Sequence, residues 1–500
     1  MDYQQLLLAL LPDLLVVVAL FAALGVDYSR LRGSRLAKRY QVACQISAAG
    51  LIAGLAVLVW QITRPMPVME STADGQLVLN TGTLTLKALL YAMGLGVLPL
   101  AKRDQITPQV SEYFALLLLA TLGMGFVVTS RNLLGAFVAL ELVSLSLYAM
   151  TVLNQARRAS AEAALKYLTF GAVSSGFLLF GLSYLYGATE QLDLTQMTGL
   201  QHSPMLVLAY LLIFVGLGFK LALAPFHLWA PDVYQNAPTP VAGWIGSGSK
   251  IAAAALLIAL LQPVSDAPKL KEALIPALAA LAVLSMVVGN LGALRQTNLK
   301  RLLAYSAIAN AGYLLVGVVA FSAAGNISVT FYILVYSLAS LGAFGVIAVL
   351  TDKLGREAEI SDFNGCWKTT PGLAVAFLVF VLSLAGIPPL AGFLGKFYLF
   401  FAAIEAAPEA ASWNDGFYWL VAFALIMSVV SLYYYLRVLK AFLVAPADDG
   451  TAITPIKTGW AAGVTLCVLA LAVVALGLWP EPLLNLLSID TPPGRALNLG

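Results

Sequence analysis

Charged residues are scarce in this sequence, and histidine and cysteine are scarcer still. Only 11% of the residues are Asp, Glu, Lys or Arg, whereas soluble domains carry about 25%. The two histidines, His202 and His227, lie in different predicted loops, and Cys44, Cys366 and Cys467 are widely separated single residues. This spacing offers no Cys-x-x-Cys pair and no ligand set for zinc, haem, copper or an iron–sulfur cluster. The sequence therefore predicts no metal and no redox cofactor in this chain.

Long apolar runs are abundant instead. The chain is 60% hydrophobic, with a mean hydropathy of +0.88. An apolar run of about twenty residues crosses a bilayer as a helix, and the sequence contains about fourteen such runs. We therefore predict an all-α membrane protein. The predicted spans are residues 6–26, 41–62, 82–101, 111–129, 132–153, 162–186, 204–225, 239–261, 273–294, 302–320, 327–351, 371–404, 416–443 and 459–479.

The distribution of Lys and Arg predicts how the chain crosses the membrane. With the N-terminus outside, the basic loop residues favour the inside by roughly four to one. We therefore expect both termini on the outer face. The first run contains Asp13, follows a start without Lys or Arg and shows no small-residue cleavage site, so it is interpreted as a retained helix. The most linker-like stretch is residues 444–458, between the last two spans.

Four ionisable residues lie deep inside predicted spans. Lys220, Lys250 and Lys396 each lie in a long apolar run, and Glu141 lies in LLGAFVALELVSLSLYAM. An ammonium ion in hydrocarbon is costly, and only a lysine near a helix end reaches the headgroups. Residues of this kind typically mark a path for ions or protons, with structural ion pairing as the alternative. Because burial disfavours the charged form of lysine and a carboxylate favours it, a moving carboxylate could switch a buried lysine between holding and releasing a proton.

Two predicted spans contain helix-breaking sequence near a buried lysine. Lys220 precedes Pro225, and Pro388 and Pro389 precede Lys396. Proline removes a backbone donor and clashes with the preceding turn, so each span is predicted to be broken. Broken helices in corresponding positions of two halves indicate a transport site, whereas a simple proline kink does not explain the lysines.

The interval between Lys220 and Lys396 indicates an internal repeat. We predict two inverted repeats of about five helices each, because an odd number of helices inverts the second copy. The expected division is an N-terminal three-helix segment at 1–110, repeats at 111–261 and 273–443, and a linker with a C-terminal helix at 444–500.

Other charged residues near helix ends are harder to assign. Lys166 lies about one turn into its span, where snorkelling and a proton-relay role are both open, and Glu162 is placed to pair with it. Lys87 lies near the outer end of its helix, which favours anchoring at the surface. For Asp232 we favour helix capping or hydration.

Four stretches resemble a known family. GFKLALAPFHLWAPDVYQNAPTPV, SGSKIAAAA, GNLGALRQTNLKRLLAYSAIANAGY and SLAGIPPLAGFLGKFYLF are similar to the antiporter-like membrane subunits of bacterial proton-pumping NADH:quinone oxidoreductase, respiratory complex I. The resemblance covers residues from about 110 to 445. It implies fourteen helices with two inverted five-helix repeats. It also implies that Glu141 and Lys220 form an ion pair, Lys250 is the central proton carrier, Lys396 is the carrier of the second half and Lys166 matches a further family lysine.

Two features of the sequence argue against particular subunits of this family, and one residue departs from the family pattern. Lys396 argues against subunit M, where a glutamate is typical, and the chain end soon after the last helix argues against subunit L, which continues into a long lateral helix. The family often has histidine where Asn310 stands. Since asparagine does not titrate near pH 7, the link toward Lys396 is expected to rely on water or on Tyr305 and Tyr313.

The resemblance implies a proton-translocating, non-redox subunit in the inner membrane of a bacterium. NADH, FMN, iron–sulfur clusters and quinone are then expected in partner subunits, with subunit M and the small membrane subunits A, J and K as membrane neighbours. One alternative is a subunit of a multi-subunit cation/proton antiporter. A weaker alternative is a scaffold with inert buried charges.

Overall fold

The computed structural model describes residues 3–64, 76–153, 158–351, 357–406, 414–446 and 458–488. Regular structure in these ranges is helical, with nineteen α-helices and a few short 3₁₀ and π turns. The first ten are α1 Tyr3–Val26, α2 Leu36–Thr63, α3 Thr81–Asp104, α4 Val110–Thr129, α5 Leu133–Val152, α6 Arg158–Thr189, α7 Pro204–Leu221, α8 Trp229–Asn236, α9 Thr239–Gly246 and α10 Gly248–Leu261. The others are α11 Pro268–Leu294, α12 Leu299–Val318, α13 Ala323–Thr351, α14 Cys366–Thr369, α15 Pro371–Ala385, α16 Ala391–Ala406, α17 Asn414–Leu443, α18 Trp460–Leu478 and α19 Glu481–Ser488.

The predicted all-α membrane fold is confirmed. Thirteen helical segments in the described ranges are long and apolar enough to cross a membrane. The remaining predicted span, residues 371–404, consists of two shorter helices, α15 and α16. Most of the predicted linker, residues 447–457, lies outside the described residues.

Burial differs strongly from helix to helix. The most apolar windows of α12 and α13 are 89% and 94% buried, whereas that of α18 is 22% buried. Large apolar side chains such as Val138, Phe180 and Val429 face outward. A backbone with its hydrogen bonds satisfied inside each helix and an apolar exterior suits lipid or a neighbouring membrane subunit. Helices α12 and α13 therefore form the interior of the bundle, whereas α18 lies at its periphery.

Both predicted breaks are present. Helix α7 ends at Leu221, where Ala222 adopts a left-handed conformation (φ 60°), and α8 begins only at Trp229. Helix α15 ends at Ala385, Gly386 is left-handed (φ 82°), and α16 follows the proline pair. A left-handed residue ends a helix by turning the chain away from its axis. Each break therefore leaves carbonyl groups at bilayer depth that need another partner.

Local structure recurs along the chain at a nearly constant interval. Asn132 caps α5 and pairs with Asp193 through an isolated bridge, and Asn298 caps α12 and pairs with Glu359 in the same way. The interval from Asn132 to Asn298 equals that from Asp193 to Glu359, and a similar one separates the two left-handed residues at the breaks.

The two lysines used to infer the repeat are not in equivalent places. Lys220 lies two residues before its left-handed residue, whereas Lys396 lies ten residues after Gly386. The sequence interval between these lysines is therefore longer than the interval between the two asparagine caps. Tertiary structure, rather than the spacing of two similar residues, defines the correspondence.

Candidate functional site

Glu141 and Lys220 form a loose ion pair between α5 and α7. Lys220 Nζ lies 4.0 Å from Glu141 Oε1, and the two side chains are 9% and 26% exposed. Lys220 Nζ donates to Ser144 Oγ at 2.5 Å, and Ser175 Oγ donates to Glu141 Oε1 at 2.5 Å. Each charged group is therefore held by a hydroxyl, and the direct attraction between them acts at the outer limit of an ion pair.

Lys250 is buried at the first break, between α7 and α8. Its Nζ donates to the carbonyl of Leu221, the last residue of α7, at 2.7 Å, and to that of Ala307 at 3.3 Å. The carbonyl end of a helix carries partial negative charge, which favours a cation there. A small cavity with room for about one water molecule adjoins Lys250, Asn310 and Tyr332.

Lys396 has the same relation to the second break. Its Nζ donates to the carbonyl of Ala385, the last residue of α15, at 3.1 Å, and to Ser428 Oγ at 3.1 Å. The Nζ also lies 4.8 Å from the ring centroid of Tyr313. Among the described residues, neither Lys250 nor Lys396 has a carboxylate within ion-pair distance. Each of the two lysines thus binds the carbonyl group at the C-terminal end of the helix that precedes a break.

Polar side chains bridge the space between Lys250 and Lys396. Asn310 accepts from Tyr332 Oη at 2.7 Å, and its amide group lies 3.4 Å from Tyr435 Oη, which shares a 2.5 Å hydrogen bond with Ser306. The path continues through three further groups. Tyr434 donates to Asn290 Oδ1, and Asn290 donates to Tyr313 Oη, each at 3.2 Å.

The two tyrosines named for this link from sequence behave differently. Tyr313 lies beside Lys396, whereas the ring of Tyr305 packs against Gly292. Tyr332 and Tyr435 were not identified from sequence. Their only signal there is an aromatic residue in an apolar run, which usually means core packing.

Lys166 lies in a separate ionic cluster at the predicted inner face. Its Nζ lies 2.8 Å from Glu162 and 2.9 Å from Asp232, and Arg301 Nη1 lies 2.7 Å from the other oxygen of Asp232. Partial burial opposes the charge on Asp232, but the hydrogen bonds from Lys166 and Arg301 hold its pKa below the ordinary value. Asp232 therefore joins the two halves of the chain through ion pairs. The prediction of helix capping or hydration for this residue is wrong.

Lys87 is not a surface anchor. It is 2% exposed, and its Nζ lies 2.6 Å from Asp13 on α1, whose other oxygen accepts from Tyr91 Oη at 2.6 Å. The expected snorkelling fails because Asp13 on α1 and the Phe126 ring on α4 lie against the Lys87 ammonium group. Sequence reasoning missed this pair because its partners are far apart along the chain.

No group of three or more His, Cys, Asp and Glu side chains suited to a metal ion occurs in the described part of the chain. The site consists instead of ammonium, carboxylate, hydroxyl and amide groups along the interior. Such groups bind and pass protons.

The fold and these buried charges define a polytopic helical membrane protein with two broken helices, a construction typical of transporters. Residues 130–431 match the family described as NADH:quinone oxidoreductase/Mrp antiporter, transmembrane. The chain belongs to this family, which confirms the resemblance.

Two relatives match over nearly their whole length. NADH-quinone oxidoreductase subunit N 2 of Acidobacterium capsulatum is 44% identical, over 97% of this chain and 99% of the relative. A chain of respiratory complex I from Thermus thermophilus, solved with bound aureothin, is 35% identical with a TM-score of 0.78, over 95% of this chain and 98% of that chain.

A more distant likeness concerns the fold alone. A chain of the Mrp complex from Dietzia sp. is 22% identical with a TM-score of 0.78, over 96% of each chain. These similar proteins are parts of multi-subunit assemblies, so partner subunits in the membrane are expected here as well.

Proposed function

We propose that this chain is a proton-translocating, non-redox membrane subunit of an NADH:quinone oxidoreductase, in the role of the relatives named subunit N. The observation that carries the proposal is the interior row of groups that hold protons, from Glu141 and Lys220 through Lys250 to Lys396. Quinone reduction in other subunits supplies the free energy, and this chain converts it into proton transfer.

The loose ion pair acts as the switch. When Glu141 approaches Lys220, attraction stabilises the ammonium form, and when Glu141 retreats, desolvation favours the neutral amine. One factor of ten in proton affinity corresponds to about 1.4 kcal/mol. A movement that changes a partly buried ion pair by a few kcal/mol is therefore enough to load and unload Lys220.

Lys250 and Lys396 are the carriers that follow. Each is held by the carbonyl end of a broken helix, which favours the protonated form without a permanent carboxylate partner. A proton released by Lys250 passes to Lys396 along tyrosine hydroxyls and water, which the Asn310 amide holds in place without itself titrating. Lys166, with Asp232, supplies protons from the inner face.

The chain divides into an N-terminal segment, two repeats and a C-terminal segment, at 1–110, 111–261, 273–443 and 444–500. The recurring asparagine caps and the two breaks support two repeats of about five helices, and an odd number of crossings inverts the second. We place the protein in a bacterial inner membrane with both termini outside, as the Lys and Arg distribution indicates.

The partial exposure of Glu141 is also a reason to propose a partner subunit beside α5. Its side chain is 26% exposed next to the exposed apolar residues Val138 and Leu145. Because a charged group facing lipid is costly, a neighbouring subunit with polar groups is expected to cover it. We propose the antiporter-like subunit M and the small subunits A, J and K as membrane neighbours, and NADH, FMN, iron–sulfur clusters and quinone in other subunits.

The cation/proton antiporter alternative rests on likeness of fold, since the Mrp chain is only 22% identical. The test uses vesicles that contain the purified assembly with Lys250→Met, a neutral residue of similar length. We expect NADH-driven proton uptake to be lost while the subunit composition by mass spectrometry stays unchanged. The exposed Lys440→Met is the matched control. Normal uptake by Lys250→Met would refute the proposal, and proton movement driven by a sodium or potassium gradient without NADH would favour the antiporter.

A further inference from the structure

Four aromatic side chains lie between the inner ionic cluster and Lys220. We call Tyr148, Tyr167, Phe219 and Trp229 the aromatic stack. Tyr167 stacks on Trp229 with centroids 4.5 Å apart and rings 11° from parallel, and Tyr148 meets Tyr167 edge-on at 4.5 Å. Phe219 lies 4.9 Å from Trp229. All four side chains are buried.

The stack lies between an exposed lysine and a largely buried one. On one side, Lys166 has 41% of its side chain exposed, and on the other, Lys220 has 9% exposed. Along α6, Tyr167, Gly171 and Ser175 follow one another at one-turn spacing, so one face of this helix passes from the stack to the hydroxyl that holds Glu141. Closely packed rings leave no room for a chain of water molecules.

Two members of the stack reach Lys220. The Phe219 ring centroid lies 5.4 Å from Lys220 Nζ, and a polar contact comes from Tyr148. Its hydroxyl lies 3.5 Å from Lys220 Nζ, and the same Nζ lies 5.8 Å from its ring centroid. By contrast, Trp229 is fixed, because its indole N–H donates to the carbonyl of Phe219 at 3.1 Å. Tyr148 lies between Tyr167 and Lys220, so a rotation of this ring would open a passage toward Lys220.

Gly171 provides the space that Tyr148 occupies. A Cβ atom built at position 171 would lie 1.9 Å from the Tyr148 hydroxyl and 2.6 Å from the adjoining ring carbon. Any other residue would displace this ring. The closed position of Tyr148 therefore depends on a glycine at this point of α6.

We propose that the aromatic stack is a gate that controls proton access from the Lys166–Asp232 cluster to Lys220, with Tyr148 as its moving part. This inference rests on the proposed function, because it assigns the barrier within that proton path. With Tyr148 in place, Lys220 exchanges protons only toward Glu141 and Lys250. With Tyr148 turned away, water joins Lys220 to the inner ionic cluster. The gate thereby prevents protons from running back when no NADH is oxidised.

The test measures passive proton leak, without NADH, in vesicles that contain the assembled complex. An imposed pH gradient is followed with a pH-sensitive dye. We expect Tyr148→Ala to dissipate the gradient several-fold faster than the wild type, and Gly171→Ala to leak as well because it displaces the same ring. Phe377→Ala is the control, since it removes a ring from another buried stack, 4.0 Å from Phe442.

The double variant Tyr148→Ala/Lys220→Ala separates a gated path from a general packing defect. If the leak passes through Lys220, the double variant is as tight as the wild type. If assembled complexes with Tyr148→Ala and with Gly171→Ala dissipated the pH gradient no faster than the wild type, the gate would be overturned. It would also be overturned if Phe377→Ala or the double variant leaked as fast as Tyr148→Ala. A failure of the proposed function is a different result: Lys220→Ala alone would then pump normally with NADH.

Discussion

Two buried lysine–carboxylate pairs in this chain differ in how tightly they are held. Lys87 and Asp13 are 2.6 Å apart, nearly unexposed, and both carboxylate oxygens have partners. Lys220 and Glu141 are 4.0 Å apart, Glu141 is partly exposed, and serine hydroxyls bind both. The first pair has one favourable arrangement, whereas the second leaves freedom for the charges to separate.

The comparison shows that burial of a charge alone does not identify a proton carrier. A short, fully partnered pair joins α1 to α3, so it stabilises structure. A long pair whose two charges are each held by a different serine hydroxyl leaves these charges freer to separate. We therefore propose that the looser pair takes part in proton transfer and that the tighter one stabilises structure.

The largest expected effect is on the tight pair. Asp13→Asn leaves the Lys87 ammonium buried without a countercharge, and removing one partner of a buried pair costs about 3–5 kcal/mol. We expect a lower thermal midpoint and less assembled complex, but normal proton uptake per assembled complex. The triple variant Asp13→Leu/Lys87→Met/Tyr91→Phe replaces all charged and hydroxyl groups and is expected to restore stability. Loss of pumping in this stable triple variant would show that the tight pair is itself needed for proton transfer.

A smaller but clear effect is expected at the second break. Lys396→Arg keeps a cation that binds the Ala385 carbonyl, but arginine does not readily release a proton. We expect normal assembly and proton uptake reduced by about tenfold, equivalent to roughly 1.4 kcal/mol in the rate-limiting step. Uptake and quinone reduction are measured together. An assembled variant that pumps at the wild-type rate would show that only positive charge is needed at this position.

Removal of one hydroxyl from the loose pair is expected to act more weakly. Ser175→Ala deletes the hydrogen bond to Glu141, which is worth about 1.5–3 kcal/mol for a charged acceptor, partly recovered by water. We expect pumping to fall a few-fold, with quinone reduction falling in parallel. Ser174→Ala, which loses a hydroxyl bound to the Gly216 carbonyl one residue away, is the control. Equal effects in both variants would point to packing instead.

The smallest change is expected from Asn310→His. A histidine can replace the contacts to Ser306 and Tyr332 and adds a group that titrates near pH 6.5. We expect pumping at neutral pH to stay close to the wild-type rate and its pH profile to change mainly below neutrality. A complete loss of pumping would indicate that the asparagine amide itself is required on the path.

Much of the fold could be predicted from sequence because membrane spans are encoded locally. Apolar runs determine the helices, and Pro225 and Pro389 mark the breaks. Neither signal depends on distant residues. The buried lysines were identifiable for the same reason. By contrast, Lys87 was misassigned, since its depth depends on Asp13 from another helix.

The remaining parts of the site depend on contacts between helices. Ser144, Ser175, Tyr332 and Tyr435 are ordinary core residues in the sequence, and only tertiary packing places them against charged or amide groups. One of the two partners of Asp232 was likewise hidden, because Arg301 lies on α12 in the other half of the chain. Side-chain networks of this kind have no signature in local hydropathy.

The central claim, that the loose pair and not the tight one moves protons, is tested most directly by the number of protons taken up per NADH oxidised. Vesicles with Glu141→Gln are compared with vesicles that contain the stable Asp13→Leu/Lys87→Met/Tyr91→Phe variant. We expect a lower proton-to-NADH ratio or a joint loss of uptake and NADH oxidation for Glu141→Gln, and the wild-type ratio and rate for the triple variant. A wild-type ratio and rate in Glu141→Gln would contradict the central claim.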